Sequence, residues 1–267
     1  MSTFKAISYV FCRFVLRRRF LTATSNDWTF RVRTEDVVGR HIYKYGRHDP
    51  AMTDFVKANF SPEDGDLLID IGANIGWFTV LFSQLCAGKD AKVLSFEPDP
   101  ENYALLAGNV AANQVGDKVI AKSLALADHE DGATLHLFGT SNRGRHSLLP
   151  IHEGETVDIA TAQLDRVIAS SDVLSGRRPL LIKIDIEGFE LIALRGASET
   201  LARCHTVIME YSPDFMRKGG LEPQALLDLM TDAGFDPFWL EAGEAKPVTL
   251  AELSAHDKQV DIIWRKR

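Results

Sequence analysis

Residues 66–80 read DLLIDIGANIGWFTV. Leu67, Leu68 and Ile69 make a short apolar run of the kind that forms a buried strand, and Ile75–Ala87 reads as an apolar helix. Between them lie Asp70, Gly72, Asn74 and Gly76. A glycine-bearing turn from strand to helix is where α/β sheets hold nucleotides, since the turn and the helix N-terminus present backbone N–H groups. The dinucleotide pattern G-x-G-x-x-G is nonetheless broken twice. Asp70 stands where its first glycine belongs, and Asn74 stands between Gly72 and Gly76. Asparagine tolerates left-handed backbone angles, so Asn74 can keep the turn. Asp70 says more about the ligand, because a carboxylate at the loop edge repels a pyrophosphate. It suits a ligand with a cationic end, such as S-adenosylmethionine, which has an α-ammonium, a sulfonium and no phosphate. Glu97 closes the next strand, where an acid takes ribose hydroxyls of either cofactor class. In the plainer reading Asp70 only caps the turn and Glu97 is solvated.

Outward from this loop, strand and helix patterns alternate. Lys92–Phe96, Lys118–Leu126, Pro179–Asp185 and Thr206–Glu210 read as strands, with Pro237–Leu240 and Val260–Trp264 in the tail. Helices are predicted from Pro50 to Asn59, from Asp99 (N-cap, with Pro100 behind it) to about Asn113, from Glu190 to Leu201 and over Pro223–Ala233. TLHLF after DHEDG alternates like a hairpin partner, residues 28–48 read as short strands and turns, and residues 139–154 read as a surface loop. Strands alternating with helices predict a mostly parallel sheet covered on both faces. Trp77, Phe82, Phe96, Trp239 and Trp264 are read as core; Phe78 is the aromatic most suited to a ligand.

The chain has 267 residues, 45% hydrophobic and 25% charged, which are globular values. The net charge of −7 argues against a nucleic-acid partner. No uncharged apolar run is long enough to span a bilayer. Three separated cysteines, Cys12, Cys86 and Cys204, fit neither a disulfide framework nor a zinc site, and a cytoplasmic protein is expected. The N-terminus departs from this average. Residues 1–33 carry seven basic residues against Asp27 alone, and Phe4, Ile7, Phe11, Phe14 and Val15 recur at helical spacing. Arg13 interrupts the apolar run a secretory signal would need. Residues 1–30 are therefore read as a basic amphipathic helix region, either packed on the domain or in peripheral contact with the inner membrane face. Residues 31–267 are read as one domain.

DIGANIGWFT, FEPDPENYALLAGNV, TAQLD and LIKIDIEGFELIALRGA, in that order and spacing, together resemble the FkbM family of methyltransferases. The resemblance runs from about Asp36 to Tyr211. It implies the Rossmann-like class I methyltransferase fold, a seven-stranded mostly parallel sheet with helices on both faces, and S-adenosylmethionine as donor. It implies O-methylation of a sugar, a glycolipid or a small natural product. On the family pattern Asp70, Gly72, Asn74, Gly76, Phe78 and Thr79 line the methionine half of the donor. Glu97 takes the ribose, Asp99 and Asn102 lie near the ribose and adenine, and Asp128 is a candidate for the adenine amino group.

A second dense patch is LLIKIDIEGFE, residues 180–190. Strand alternation sets Lys183 and Asp185 on one face, with Glu187 following in the turn. Glu210 ends the neighbouring strand. Alkylation of a hydroxyl needs the oxygen aligned and its proton removed. Three devices are compatible with the residues: Asp185 or Glu187 as base, His146 as base, or a divalent cation such as magnesium on Asp185, Glu187 and Glu210. Lys183 either pairs with these acids or binds an acidic sugar. Glu190 reads as a helix-start acid in water. Asn142, Arg143, Arg145, His146 and Ser147 form a candidate acceptor loop. Two further readings compete: a scaffold that kept the fold without catalysis, and a nicotinamide oxidoreductase, against which Asp70 counts. Oligomeric state is not legible.

Overall fold

The computed structural model describes residues 3–25, 28–139, 146–151 and 154–267. Helix α1 (Thr3–Val10) continues into a five-residue π-helical turn, Phe11–Val15. A hairpin follows, β1 (Phe20–Ser25) with β2 (Trp28–Arg33), paired antiparallel along its whole length. The expected boundary near residue 30 therefore falls inside a hairpin. The next segment corrects the expectation of strands and turns over 28–48: Val37–Tyr45 is a helix, α2. Asp36 caps it by accepting from Gly39 N, and Gly46 ends it in the left-handed region at φ +69°. Helix α3 (Pro50–Asn59) starts as predicted from its proline, behind an Asp49 N-cap.

The central sheet then assembles. Strand β3 (Asp66–Ile71) is buried at every position, as a central parallel strand requires. It leads into α4 (Trp77–Leu85), β4 (Lys92–Phe96), α5 (Pro100–Ala112) and β5 (Val119–Lys122). A short pair, β6 (Ala125–Leu126) with β9 (Thr161–Ala162), and a hairpin, β7 (Ala133–His136) with β8 (Thr156–Ile159), stand beside it. After α6 (Leu164–Ala169) come β10 (Arg178–Ile184), α7 (Glu190–Arg195), α8 (Ser198–Arg203) and β11 (Thr206–Tyr211). The predicted single helix over 190–201 is thus two. They break at Gly196, where a Cβ would lie 2.2 Å from Ala127 O, so that close approach displaces the regular helix. The tail adds α9 (Pro213–Lys218), α10 (Pro223–Asp232), β12 (Phe235–Glu241), β13 (Glu244–Pro247), α11 (Leu250–Ser254) and β14 (Val260–Lys266).

Strand order in the main sheet is β13-β12-β14-β11-β10-β3-β4-β5. The five strands from β11 to β5 run parallel, while β14 inserts antiparallel between β11 and β12. The expected seven strands are present; β13 is an eighth, hairpinned onto β12 at the edge. One large core, including Leu126, Leu194 and Met230, fills one face. A second, with Phe30, Phe55 and Phe82, fills the other and takes in the N-terminal hairpin. Trp77, Phe82, Phe96 and Trp264 are buried as expected. From β3 the chain proceeds outward to β4 on one side and returns to β10 on the other. The carboxyl ends of β3 and β10 therefore flank the switch point of the sheet, where such folds open a ligand crevice.

Candidate active site

A cavity of about 360 Å³ opens at that switch point. At one end it is lined by Asn74, Glu97 and Asn102, and at the other by Lys183, Asp185, Glu187 and Glu210. Its size falls in the range of small-molecule sites.

The donor end is built from main chain. Asn74 sits in the left-handed region at φ +51°, and its N–H donates to Glu97 Oε2 at 2.7 Å. Asp99 N–H donates to Glu97 Oε1 at 3.0 Å. Asn102 adds a side-chain hydrogen bond to the same carboxylate, so three donors fix its position. Burial pushes the Glu97 pKa up to about 8, against the pull of these N–H groups. Asn102 lines the same end, its Oδ1 accepting from Arg33 Nη1 at 2.6 Å.

Gly72 and Gly76 also make close contacts within the protein. A Cβ on Gly72 would lie 2.0 Å from Asp185 O, and one on Gly76 would lie 2.6 Å from Leu106 Cδ1. Both positions also have positive φ, +80° and +90°. Gly72 lets β3 close against β10, and Gly76 seats α4 against α5. Gly72 lines the cavity; Gly76 does not.

Asp70 requires the main correction. Its side chain is fully buried and does not line the cavity. Thr79 Oγ1 donates to Asp70 Oδ2 at 2.6 Å and lies 2.9 Å from Ser95 Oγ. Burial holds the Asp70 carboxyl above its ordinary pKa. Asp70 and Thr79 thus form a polar pair beneath the loop, and Asp70 reaches the site through the field it exerts on Lys183. Asp99 caps α5 and also stays outside the lining. Asp128 is half-buried outside the cavity, its carbonyl accepting from Gln163 Nε2 at 2.6 Å.

The other end is a charge cluster. Lys183 Nζ donates to Asp185 Oδ2 at 3.0 Å and lies 5.2 Å from the centre of the Phe78 ring, a cation–π contact. Burial works against the Lys183 charge, but Asp185 and Asp70 outweigh it and raise its pKa. Burial likewise works against an Asp185 carboxylate, yet Lys183 and a hydrogen bond with Glu210 leave its pKa below the ordinary value. Burial and the neighbouring Asp185 and Glu187 push Glu210 up to about 11. Asp185 thus lies between Lys183 and Glu210, with the ammonium favouring its charged form, while burial and the neighbouring acids favour the neutral form of Glu210. Carboxylate oxygens of Asp185, Glu187 and Glu210 come within 4.8 Å of one another.

Glu187 follows in a strained turn at φ +55°, a costly value for a non-glycine residue. Two clamps hold it. Gln259 Nε2 donates to Glu187 Oε2 at 3.1 Å, and Ser147 Oγ donates to Glu187 O at 2.9 Å. Glu190 is fully buried instead of solvated, and its Oε1 accepts from Gly188 N at 3.2 Å and Ile186 N at 3.3 Å. Burial raises its pKa to about 7.

His146 lines the cavity; its Nδ1 accepts from Phe138 N at 3.0 Å, while Nε2, 3.5 Å from Asp99 Oδ2, makes no hydrogen bond among the described residues. The Nδ1 bond and the nearby Asp99 place His146 beside the start of α5. Asn142, Arg143 and Arg145 lie outside the described residues. His48 and Gln259 line the cavity and were missed by sequence reasoning, as was Asp261, which stands beside Glu210 outside the lining. His48 lines the cavity with its ring 6.5 Å from Phe78; burial and Lys183 lower its pKa to about 4. Asp261 pairs with Glu210 across β14 and β11, and burial raises it to about 7. His48 follows a helix that was not predicted, and Gln259 and Asp261 stand some 70 residues beyond Glu187, so no local pattern connects them.

Residues 70–237, more than half of the chain, match the family described as methyltransferase FkbM domain. The chain belongs to the FkbM methyltransferase family. Among relatives of this FkbM chain, the hexuronic acid methyltransferase AglP of Haloferax volcanii is 28% identical over 64% of this chain and 64% of its own length. The 31-O-demethyl-FK506 methyltransferase FkbM of Streptomyces tacrolimicus is 30% identical over 51% of this chain and 60% of its own. A crystal structure of a methyltransferase FkbM from Methylobacillus flagellatus superposes with a TM-score of 0.50 at 16% identity, covering 84% of this chain and 49% of that one. The similarity thus spans less than two thirds of each of these proteins, and the structural match bears on the fold. The family's class I fold accounts for the strand order around β3 and β10. The nicotinamide oxidoreductase and the non-catalytic scaffold are not favoured.

Proposed function

We propose that the chain transfers a methyl group from S-adenosylmethionine to a hydroxyl of a sugar, a glycolipid or a small natural product. The observation that carries this reading is one cavity lined by Glu97 at one end and by Asp185, Glu187 and Glu210 at the other. A bound donor would supply a methyl already activated on its sulfonium. Glu97, held by Asn74, Asp99 and Asn102, would accept from the ribose diol in its ionised form. Phe78 and the Gly72–Asn74 backbone would line the methionine half.

The chain's own contribution is alignment and proton removal. An alcohol proton becomes strongly acidic only as the new bond to oxygen forms. A carboxylate of low basicity such as Asp185 can then receive it, provided it already holds the hydroxyl in line. Lys183 and a hydrogen bond with Glu210 favour the charged form of Asp185 and fix its orientation. Glu187 is the second acceptor within reach of the same oxygen.

The oxygen-only set of Asp185, Glu187 and Glu210 would also suit magnesium or calcium. A cation there would lower the hydroxyl pKa. It would compete with the Lys183 ammonium for Asp185 Oδ2 and need the charged form of Glu210 that burial disfavours, so the carboxylate-only reading is preferred. Two relatives bear names that mention a hexuronic acid and a 31-O position of FK506, and these support a hydroxyl acceptor on a sugar or natural product. We also take the N-terminal hairpin and the residues that follow it as a single catalytic domain, since the hairpin shares the second core, and one that acts without nucleic acid. No helix among the described residues is long and apolar enough to cross a membrane.

The test is calorimetry with S-adenosylmethionine, followed by methyl transfer to a panel of glycans and hydroxylated natural products with and without EDTA. Donor binding and EDTA-resistant transfer are expected. Tighter binding of a nicotinamide dinucleotide would overturn the donor, and donor binding with no transfer would favour a scaffold. EDTA loss restored by magnesium would move the mechanism to the cation.

A further inference from the structure

The described residues include eight large hydrophobic side chains that are exposed, and six of them crowd into one segment: Ile7, Val10, Phe11, Phe14, Val15 and Leu16. Phe14 is 64% exposed and Val15 62%, so they lie nearly free of the fold. A solvated helix has no use for them, and apolar residues this concentrated mark a contact surface. The segment is anchored from beneath. Tyr9 is fully buried, its hydroxyl donates to Thr34 O, and α1 packs on α2. The strip is therefore displayed on a fixed support.

Its surroundings are basic. Arg13, Arg17, Arg18 and Arg19 accompany the strip, in a chain whose net charge is −7. Arg19 is committed to Glu101 at 3.1 Å. Arg13 lies 5.0 Å from the Phe14 ring centre, and no described carboxylate forms an ion pair with Arg13, Arg17 or Arg18. A second, open cavity of about 460 Å³ adjoins the strip, lined by Arg18 and Arg31 together with Cys12, Phe20, Leu21 and Tyr43. Arg31 is held there over the Phe20 ring at 4.5 Å. Two guanidinium groups at a groove floored by apolar and aromatic side chains match a phosphate with hydrocarbon attached.

We propose that this face docks on an anionic phospholipid bilayer, with Phe11, Phe14 and Val15 entering the interface and Arg17, Arg18 and Arg31 meeting lipid phosphates. Apolar insertion and basic attraction are the two parts of such peripheral binding, and each is weak without the other. The proposal is independent of the chemistry read for the cleft. It has a consequence for it, because α2 carries α1 on its outer side while Val38 of α2 lines the main cavity. A docked chain would keep α2, which contributes to the cavity wall, one helix away from the membrane.

The test is co-sedimentation of the full chain with vesicles of phosphatidylglycerol and phosphatidylcholine, against vesicles of phosphatidylcholine alone. Binding to the anionic vesicles is expected, weakened by added salt, with little binding to the neutral ones. Arg17→Gln with Arg18→Gln should lower the anionic-vesicle partition by about thirtyfold, since each basic residue at such a surface contributes about fivefold. Phe11→Ser with Phe14→Ser and Val15→Ser should lower it at least tenfold. These residues are largely exposed, so the unfolding temperature of both variants should match the parent. Equal sedimentation with both vesicle types, or none with either, would overturn the proposal. So would light scattering showing a dimer that the serine variant dissociates, because the strip would then be covered by a second copy.

Discussion

Replacing Glu97 with glutamine tests the donor end of the cavity most directly. With its pKa raised to about 8, the Glu97 carboxyl is protonated about ten to one at pH 7 in the free protein. To accept from the ribose diol it must lose that proton, a tenfold penalty on donor binding at pH 7 and a hundredfold one at pH 6. Donor Kd in the parent should fall about tenfold from pH 6 to pH 7 and level off above pH 8. Glutamine has one acceptor oxygen and no charge. At high pH the substitution exchanges charge-assisted bonds for neutral ones about half as strong, and turns an N–H donor towards Asn74 N or Asp99 N. The cost is about 2 kcal/mol, or some thirtyfold in Kd. The variant has no proton to lose, so its deficit should shrink as pH falls and be within about threefold of parity at pH 6. Isothermal titration calorimetry at pH 6, 7 and 9, in two buffers of different ionisation enthalpy, reads both affinity and proton release. Titration of the donor itself appears in both proteins and cancels in the comparison. A deficit that is the same at pH 6 and pH 9, or absent at both, would refute the assignment of Glu97 to the ribose.

Asp185→Asn should lower kcat by a factor of about 10² to 10⁴ and leave donor Kd within about threefold, since Asp185 is assigned to the acceptor proton; steady-state kinetics with donor titration checks this, and equal loss in both would place Asp185 at the donor. Folded-state pKa values of Glu97, Glu190 and Asp261 lie above their unfolded values, so the folded chain holds more protons at neutral pH. Its stability is present at low pH and is lost as pH rises through about 7 to 8. The unfolding temperature should therefore fall between pH 5.5 and pH 8.5. Glu190→Gln should flatten that fall, removing up to about 3 kcal/mol of pH-dependent stability, and an unchanged slope would count against a protonated Glu190. Gly72→Ala should destabilise the fold by several kcal/mol, because its Cβ meets Asp185 O at 2.0 Å. Gly65→Ala, also at positive φ (+87°) but with nothing within 4 Å, should cost about 1 kcal/mol; chemical denaturation of both variants separates contact from strain.

What the sequence by itself determined is what depends on neighbours along the chain. The buried run at 67–69, the Asp99–Pro100 helix start and the βα alternation follow from periodicity and capping, and they lead to the parallel sheet. Asn74 at positive φ and Glu97 at a strand end could be read from the loop itself. The Lys183–Asp185 pair follows from strand alternation. Tertiary structure decided what depends on which strands become neighbours. Asp70 read as the loop's ligand-facing charge, but the packing of α4 on β3 and β4 closes Thr79 and Ser95 around it and removes it from the cavity. Gly72 read as part of the donor loop; β10 beside β3 adds a second demand for glycine there, room for the Asp185 carbonyl. Gln259 and Asp261 reach Glu187 and Glu210 only because β14 inserts next to β11, a pairing across about 50 residues that no local signal carries. Charge follows the same division: which groups are acids is written in the chain, while the burial and neighbours that favour a charged Asp185 and a neutral Glu210 exist only once the sheet has formed.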